Sequence, residues 1–151
     1  MQAANKHNVA DEDETMSRMQ ARDIKTTEDA RRIVEESGLS HVKVGMFDID
    51  GVMLGKYMQR DKFFSALEDG FAFCDVVLGW DSKDELYDNV RFTGWHTGYP
   101  DAPLRIIVDS CREMPSEGGG MLLFLAEFDG PAGDICPRGL LGRVLEQGRD
   151  M

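Results

Sequence analysis

The stretch that decides the fold is Val42–Tyr57, which reads VKVGMFDIDGVMLGKY. Apolar side chains alternate with other side chains through its first half, a period of two that is typical of a β-strand. Gly51 closes an acidic bend, and a second strand-like run follows directly. Because no helix separates the two runs, the pattern predicts an antiparallel hairpin of His41–Asp48 and Val52–Met58, joined by an Asp-Gly turn.

Helices and further strands are predicted on both sides of this hairpin. A helix is expected over Glu28–Ser37, with Thr27 as its N-cap and Gly38 as its stop. Apolar stripes and period-two runs predict the other elements, which are the helix Asp61–Glu68, the strand Phe71–Cys74, a strand around Leu104–Val108, the strand Met121–Phe128 and an amphipathic helix that opens near Pro137. Together these elements predict a small α+β domain.

A long polar loop is predicted between Cys74 and Leu104. Its length and its aromatic residues favour an ordered, functional loop. Trp80 and Trp95 could line a substrate entrance, although packing of loop on sheet is the commoner use of such side chains. A second, glycine-rich turn is predicted between Pro115 and Gly120. No Lys-Ser or Lys-Thr pair follows its three glycines, so it is not a phosphate-binding loop.

Composition and charge exclude several function classes. The 151 residues predict one domain, and their formal net charge is -11. Such a chain lacks the basic patch that nucleic-acid phosphates or an anionic membrane surface require. No run approaches the roughly 18 apolar residues of a membrane span, and there is no secretory signal, so a cytoplasmic location is expected. Residues 1–25 are expected to form a polar, disordered tail.

The cysteines and histidines do not suggest a metal site. Cys74, Cys111 and Cys136 are odd in number and far apart, which predicts small buried thiols rather than a disulfide or a zinc site. The three histidines are equally dispersed.

The acidic bend allows one enzymatic hypothesis. A strand that ends in Asp-x-Asp-Gly resembles the first motif of the haloacid dehalogenase phosphatases. On this reading Asp48 is the nucleophile and Asp50 the general acid, with a magnesium ion between carboxylate and phosphate. That fold also needs strands alternating with helices. Since a strand follows the motif at once, the phosphatase is kept only as an alternative.

A larger set of motifs points to another family. In chain order these motifs are Asp50–Lys56, Gly70–Asp75, Gly79–Asp81, Gly98–Asp101, Asp109 with Arg112, Phe128–Pro131 and Cys136–Arg138. Their order and spacing, from about Thr26 to Gln147, resemble the N-terminal domain of glutamine synthetases, and most closely the γ-glutamylpolyamine-synthetase-like branch. Two positions depart from the pattern, because Leu54 stands where the family usually has Arg and Ser116 where Trp often follows the Pro.

This resemblance implies a fold and a division of the chain. Residues 26–136 would form a β-grasp (ubiquitin-like) domain, in which a mixed sheet curls around a helix. Residues 137–151 would be the first helix of a catalytic domain that is otherwise missing from this sequence. In the family that domain binds ATP and divalent metals, Mg²⁺ or Mn²⁺, so no cofactor and no metal is expected in this chain.

The resemblance also implies a role. In the family the N-terminal domain packs against the catalytic domain of a neighbouring subunit in a dodecamer-type homo-oligomer, and an Asp on its loop helps to bind and deprotonate ammonium. Asp75 is the matching residue, and capping of a turn is its alternative role. The implied enzyme is an ATP-dependent ligase that joins glutamate to ammonia or an amine, with this chain inactive alone. A free-standing β-grasp binding module, which predicts no hydrophobic patch, is a third hypothesis.

Overall fold

The computed structural model describes residues 19–115 and 120–151. Most of the predicted tail, with its acidic run, lies outside the described residues, as do residues 116–119 of the predicted glycine-rich turn. The helices and strands are α1 Thr27–Ser37, β1 His41–Phe47, β2 Met53–Gln59, α2 Arg60–Asp69, β3 Phe71–Cys74, β4 Asp101–Met114, β5 Met121–Phe128, α3 Gly130–Ile135 and α4 Pro137–Arg149. None of the described helices is long and apolar enough to cross a membrane.

The strands form one sheet with the order β2-β1-β5-β4-β3. Strand β1 pairs in parallel with β5, and every other neighbouring pair is antiparallel. The sheet is therefore mixed, and helices pack against it. This arrangement confirms the predicted α+β fold of the β-grasp type.

The predicted hairpin is present, but its turn differs from the prediction. Strands β1 and β2 pair antiparallel from His41↔Gln59 to Phe47↔Met53, so residues 48–52 form the loop. This loop is longer than a two-residue Asp-Gly turn. Its shape is set by Asp48, whose Oδ1 accepts hydrogen bonds from the backbone N–H groups of Asp50 and Val52 at 3.0 and 2.7 Å. The backbone N–H of Asp48 also donates to the carbonyl of Val52 at 3.0 Å, so side chain and backbone together shape the bend.

Helix α1 begins at Thr27, one residue earlier than predicted. The cap is Thr26, not Thr27: Thr26 Oγ1 accepts from the backbone N–H of Asp29 at 3.0 Å, and Asp29 Oδ2 accepts from that of Thr26 at 3.1 Å. A reciprocal capping box needs an acceptor side chain three residues after the cap. Asp29 meets this requirement for Thr26, so Thr26 is the cap. Gly38 ends the helix in the left-handed conformation, as predicted.

The core lies between the sheet and helices α1 and α2. Phe63 of α2 and Phe124 of β5 are fully buried, and their ring centroids are 4.7 Å apart. All three cysteines are free thiols. Cys111 and Cys136 are buried as predicted, whereas Cys74 is only half-buried. Burial raises the pKa of the Cys111 thiol to about 12, so this thiol stays protonated at neutral pH.

Strand β4 is much longer than predicted. An irregularity interrupts its pairing with β5 between Ile107 and Arg112. There the Ser110 hydroxyl donates to the carbonyl of Ile107 and accepts from the N–H of Leu125 at 2.8 Å. The hydroxyl satisfies backbone groups that the interrupted ladder leaves open, so the strand continues beyond the bulge.

Candidate functional site

Asp75 lies at the end of β3, where a short 3-10 helix, Asp75–Leu78, begins. Its side chain is 3% exposed, and its Oδ1 accepts a hydrogen bond of 2.5 Å from the hydroxyl of the fully buried Thr93. Its backbone N–H donates to the carbonyl of Pro100 at 3.0 Å. Asp75 therefore connects the beginning of the long loop to two later points of that loop. These contacts fit the prediction that the loop is ordered.

The Asp75 carboxylate forms no ion pair with any of the described residues. A buried carboxylate with one hydroxyl donor and no cation costs free energy unless further donors or a cation complete it. Thr93, which completes the arrangement, was not identified from the sequence, because an isolated threonine in a polar loop carries no local signal.

The residues of the phosphatase hypothesis act as structural acceptors. Asp48 is 2% exposed, and the backbone N–H groups of its own loop occupy Oδ1. Asp50 Oδ2 accepts from the N–H of Ser82 at 2.9 Å, which fastens the hairpin loop to the long loop. No group of three or more metal-ligating side chains is found in residues 19–115 and 120–151. Because β2 also follows β1 without a crossover helix, the architecture does not favour a phosphatase.

Tyr87 was not predicted as part of this region, although it lies beside its carboxylates. Partial burial raises the pKa of its phenol, and the negative charges of Asp50, Asp81 and Asp48 raise that pKa further. Its backbone N–H donates to the carbonyl of Gly79 at 2.9 Å. The junction of the two loops is thus negatively charged on the side that Tyr87 faces.

The two tryptophans of the long loop have different environments. Trp80 is half-buried and packs against the core, which agrees with the expectation that such side chains pack the loop on the sheet. Trp95 is 84% exposed and contacts Tyr99 edge-on, with ring centroids 5.4 Å apart. Trp95 is therefore available for contact with another molecule, whereas Trp80 is not.

Helix α4 exposes its apolar side chains. Each of the four is between 52% and 57% exposed, namely Leu140, Leu141, Val144 and Leu145. Arg143 donates to the carbonyls of Gly133 and Asp134 at 3.3 and 2.6 Å, and Arg138 Nε lies 2.7 Å from Glu127 Oε1. These polar contacts hold the helix against the domain and leave its apolar face open. We call these four side chains the α4 apolar face.

Two curated relatives resemble the chain in sequence. It is 46% identical over 109 residues to type-1 glutamine synthetase 2 of Dictyostelium discoideum, covering 70% of this chain and 21% of that protein. It is 30% identical over 124 residues to glutamate–isopropylamine ligase of a Pseudomonas species, covering 80% of this chain and 27% of that protein. The chain therefore spans between about a fifth and a quarter of the length of these relatives. No protein-family model matches the sequence.

Solved structures share the fold. The cryo-EM structure of Plasmodium falciparum glutamine synthetase superimposes with a TM-score of 0.62 at 13% identity, over 87% of this chain and 24% of that one. A complex of GmaS with ADP superimposes with a TM-score of 0.56 at 15% identity, over 80% of this chain and 25% of that chain. The predicted closeness to the γ-glutamylpolyamine-synthetase-like branch stays a prediction. The chain is homologous in sequence to part of a type-1 glutamine synthetase and to part of a glutamate–isopropylamine ligase, and it shares the fold of part of a solved glutamine synthetase.

Proposed function

We propose that this chain acts as the N-terminal domain of a glutamine synthetase-like ligase. The whole enzyme would use ATP to join the γ-carboxylate of glutamate to ammonia or an amine, with ATP and Mg²⁺ or Mn²⁺ bound by its catalytic domain. The observation that carries the proposal is the 46% identity over 109 residues to a type-1 glutamine synthetase. The name of the second relative, glutamate–isopropylamine ligase, supports an amine as an alternative to ammonia.

In this proposal Asp75 binds the ammonium or amine substrate. A carboxylate stabilises a cation and can accept its proton. Support comes from its burial, from the single Thr93 donor, and from the lack of a basic partner within the described part of the chain. Only 3% of Asp75 is exposed, so the amine would approach through that small opening, around which the neighbouring subunit would complete the site.

The proposed partner is the catalytic domain of the same or a neighbouring subunit in a homo-oligomer. The α4 apolar face is the surface that this partner would cover, because four large apolar side chains on one helix are costly to leave in water. The free-standing module hypothesis predicts no such patch, so the α4 apolar face favours the ligase domain.

A chimera tests this function. Residues 26–136 of this chain replace the matching segment of the Dictyostelium relative, and formation of the γ-glutamyl amide is measured with glutamate, ATP, Mg²⁺ and either ammonium or isopropylamine. We expect activity, because this segment would supply the missing part of the site. A folded oligomeric chimera without activity would contradict the proposal.

Two variants of that chimera test Asp75. Asp75→Asn keeps an acceptor for Thr93 but removes the charge, so the KM for ammonium or amine should rise about tenfold or more with a smaller change in the KM for glutamate. Thr93→Val keeps the carboxylate and should lower the free energy of unfolding by about 1 kcal/mol without the same change in KM. If both variants lower stability and neither changes a KM, Asp75 only caps the turn.

A further inference from the structure

The two outer strands of the sheet approach each other on one side of the molecule. Strands β2 and β3 are at opposite ends of the strand order, yet Lys56 Nζ of β2 lies 5.3 and 5.0 Å from the ring centroids of Phe71 and Phe73 on β3. The same ammonium donates to the carbonyl of Ala72 at 3.5 Å. The sheet is therefore curled, and a cleft of about 470 Å³ lies between β2, α2 and the start of β3.

The lining of this cleft is positively charged. Lys56 and Lys62 supply this charge, and none of the described residues that line the cleft is an aspartate or a glutamate. A lining with basic and without acidic side chains is unusual in a chain of net charge -11. None of the ion pairs found in residues 19–115 and 120–151 includes Lys56 or Lys62. Both ammonium groups are thus available to an external anion.

Lys56 is held in position without being neutralised. Aromatic faces attract a cation through their quadrupole, so the two phenylalanine rings orient the ammonium and leave its net charge intact. His41 Nδ1 lies 3.0 Å from the Ser40 hydroxyl, so Nε2 remains for another partner. Ser65 of α2 is a further polar residue of the lining.

The floor of the cleft is apolar. Met58 and Ala66 are 6% and 4% exposed, and both line the cleft. A ligand that fits therefore combines negatively charged groups with a compact or carbon-containing part. A volume of about 470 Å³ lies within the range of small-molecule sites.

We propose that this cleft binds a small anion that carries two or more carboxylate or phosphate groups. Lys56 and Lys62 neutralise these groups, and Ser65 and His41 donate hydrogen bonds. The site does not depend on the ligase function, because none of the residues that line it belongs to the Asp75 site or to the α4 apolar face.

Calorimetric titration of the 151-residue chain with citrate and with pyrophosphate tests this site, at low and at raised ionic strength. Binding of at least one anion is expected, with affinity that falls as salt screens the lysines. Lys56→Gln and Lys62→Gln should each weaken binding by about fivefold or more. Lys43→Gln is the matched control, because Lys43 is also a strand lysine over an aromatic ring, 5.9 Å from the centroid of Tyr57, but does not line the cleft.

The outcomes distinguish a carboxylate ligand, a phosphate ligand and the absence of a binding site. Citrate binding alone identifies a carboxylate ligand, pyrophosphate binding alone identifies a phosphate ligand, and both results support the site. The proposal is overturned if neither anion binds at millimolar concentration, or if Lys43→Gln weakens binding as much as Lys56→Gln. If Lys56→Gln fails to fold by circular dichroism, Lys62→Gln on the exposed first turn of α2 decides the question.

Discussion

Helices α1 and α4 carry similar amphipathic patterns but lie in different environments. The apolar residues of α1, Ala30, Ile33 and Val34, are between 0% and 5% exposed. Those of the α4 apolar face are all more than half exposed. An apolar stripe therefore shows that a helix packs against something, but not whether the partner belongs to the same folded unit.

The ends of the two helices differ in a related way. A capping box satisfies the first turn of α1, whereas the N-cap of α4, Cys136, makes no side-chain capping bond. Helix α4 relies on Arg143, which reaches back to the last carbonyls of α3. The polar side of α4 thus holds it in place, while hydrophobic burial does so for α1.

The largest expected difference between the helices is in stability. Ile33→Ala should lower the free energy of unfolding by about 2–4 kcal/mol, because it removes buried methyl groups and leaves a cavity. Leu141→Ala, at 57% exposure, should change it by about 0.5 kcal/mol or less. Urea denaturation of both variants measures the difference. Equal losses would mean that α4 is buried in solution, for example by self-association.

Loss of the cap should have the next largest effect. Thr26→Ala removes the acceptor for the N–H of Asp29 and should destabilise the chain by about 1 kcal/mol. Chemical denaturation measures this loss, and Thr27→Ala, one position later, is the matched control. If Thr27→Ala costs more, the helix begins where the sequence predicted.

Removal of the Arg143 contact should have a smaller, local effect. Arg143→Gln loses two solvent-exposed hydrogen bonds to α3 carbonyls, worth about 0.5 kcal/mol in total, so amides of α4 should exchange faster while those of β5 do not change. Hydrogen exchange measures this difference. Arg149→Gln, for which no described hydrogen bond reaches α3, should leave exchange in α4 unchanged; similar effects of both variants would disprove the anchoring role.

The smallest expected effect is a pH dependence at the start of α1. The hydrogen bond from Thr26 and the backbone bond from Lys25 lower the pKa of Asp29, as does the nearby charge of Arg32. Since the folded pKa is below the unfolded one, near 3.9, the ionised carboxylate stabilises the fold above about pH 4. This stabilisation is lost as pH falls through the folded pKa.

Asp29→Asn makes that dependence measurable. The stability difference between wild type and Asp29→Asn should be constant at neutral pH and should shrink as the pH falls below about 4. Denaturation at a series of pH values measures it. In a Thr26→Ala background the pH dependence should be weaker, because the first cause of the lowered pKa is gone; an unchanged dependence would contradict this assignment.

Local patterns predicted most of the elements well. The bounds of β3 and β5 agree with the predicted strands, and α1 and α2 agree within a residue at each end. The extension of β4 was missed because Asp109, Ser110 and Arg112 interrupt the apolar alternation there. The short helix α3 was missed as well, since its Gly-Pro-Ala-Gly sequence resembles a turn more than a helix.

The sequence by itself determined the hairpin, the approximate extents of α1 and α2 and the family resemblance, and it suggested Asp75 as a functional residue. These rest on short-range periodicity, on caps and on the order of motifs. Only the tertiary structure decided which distant groups meet: Thr93 with Asp75, Lys56 with the two rings of β3, and Asp50 with Ser82. The physical reason is that side-chain alternation follows from the backbone of one strand, whereas these contacts depend on the order and the curl of the whole sheet.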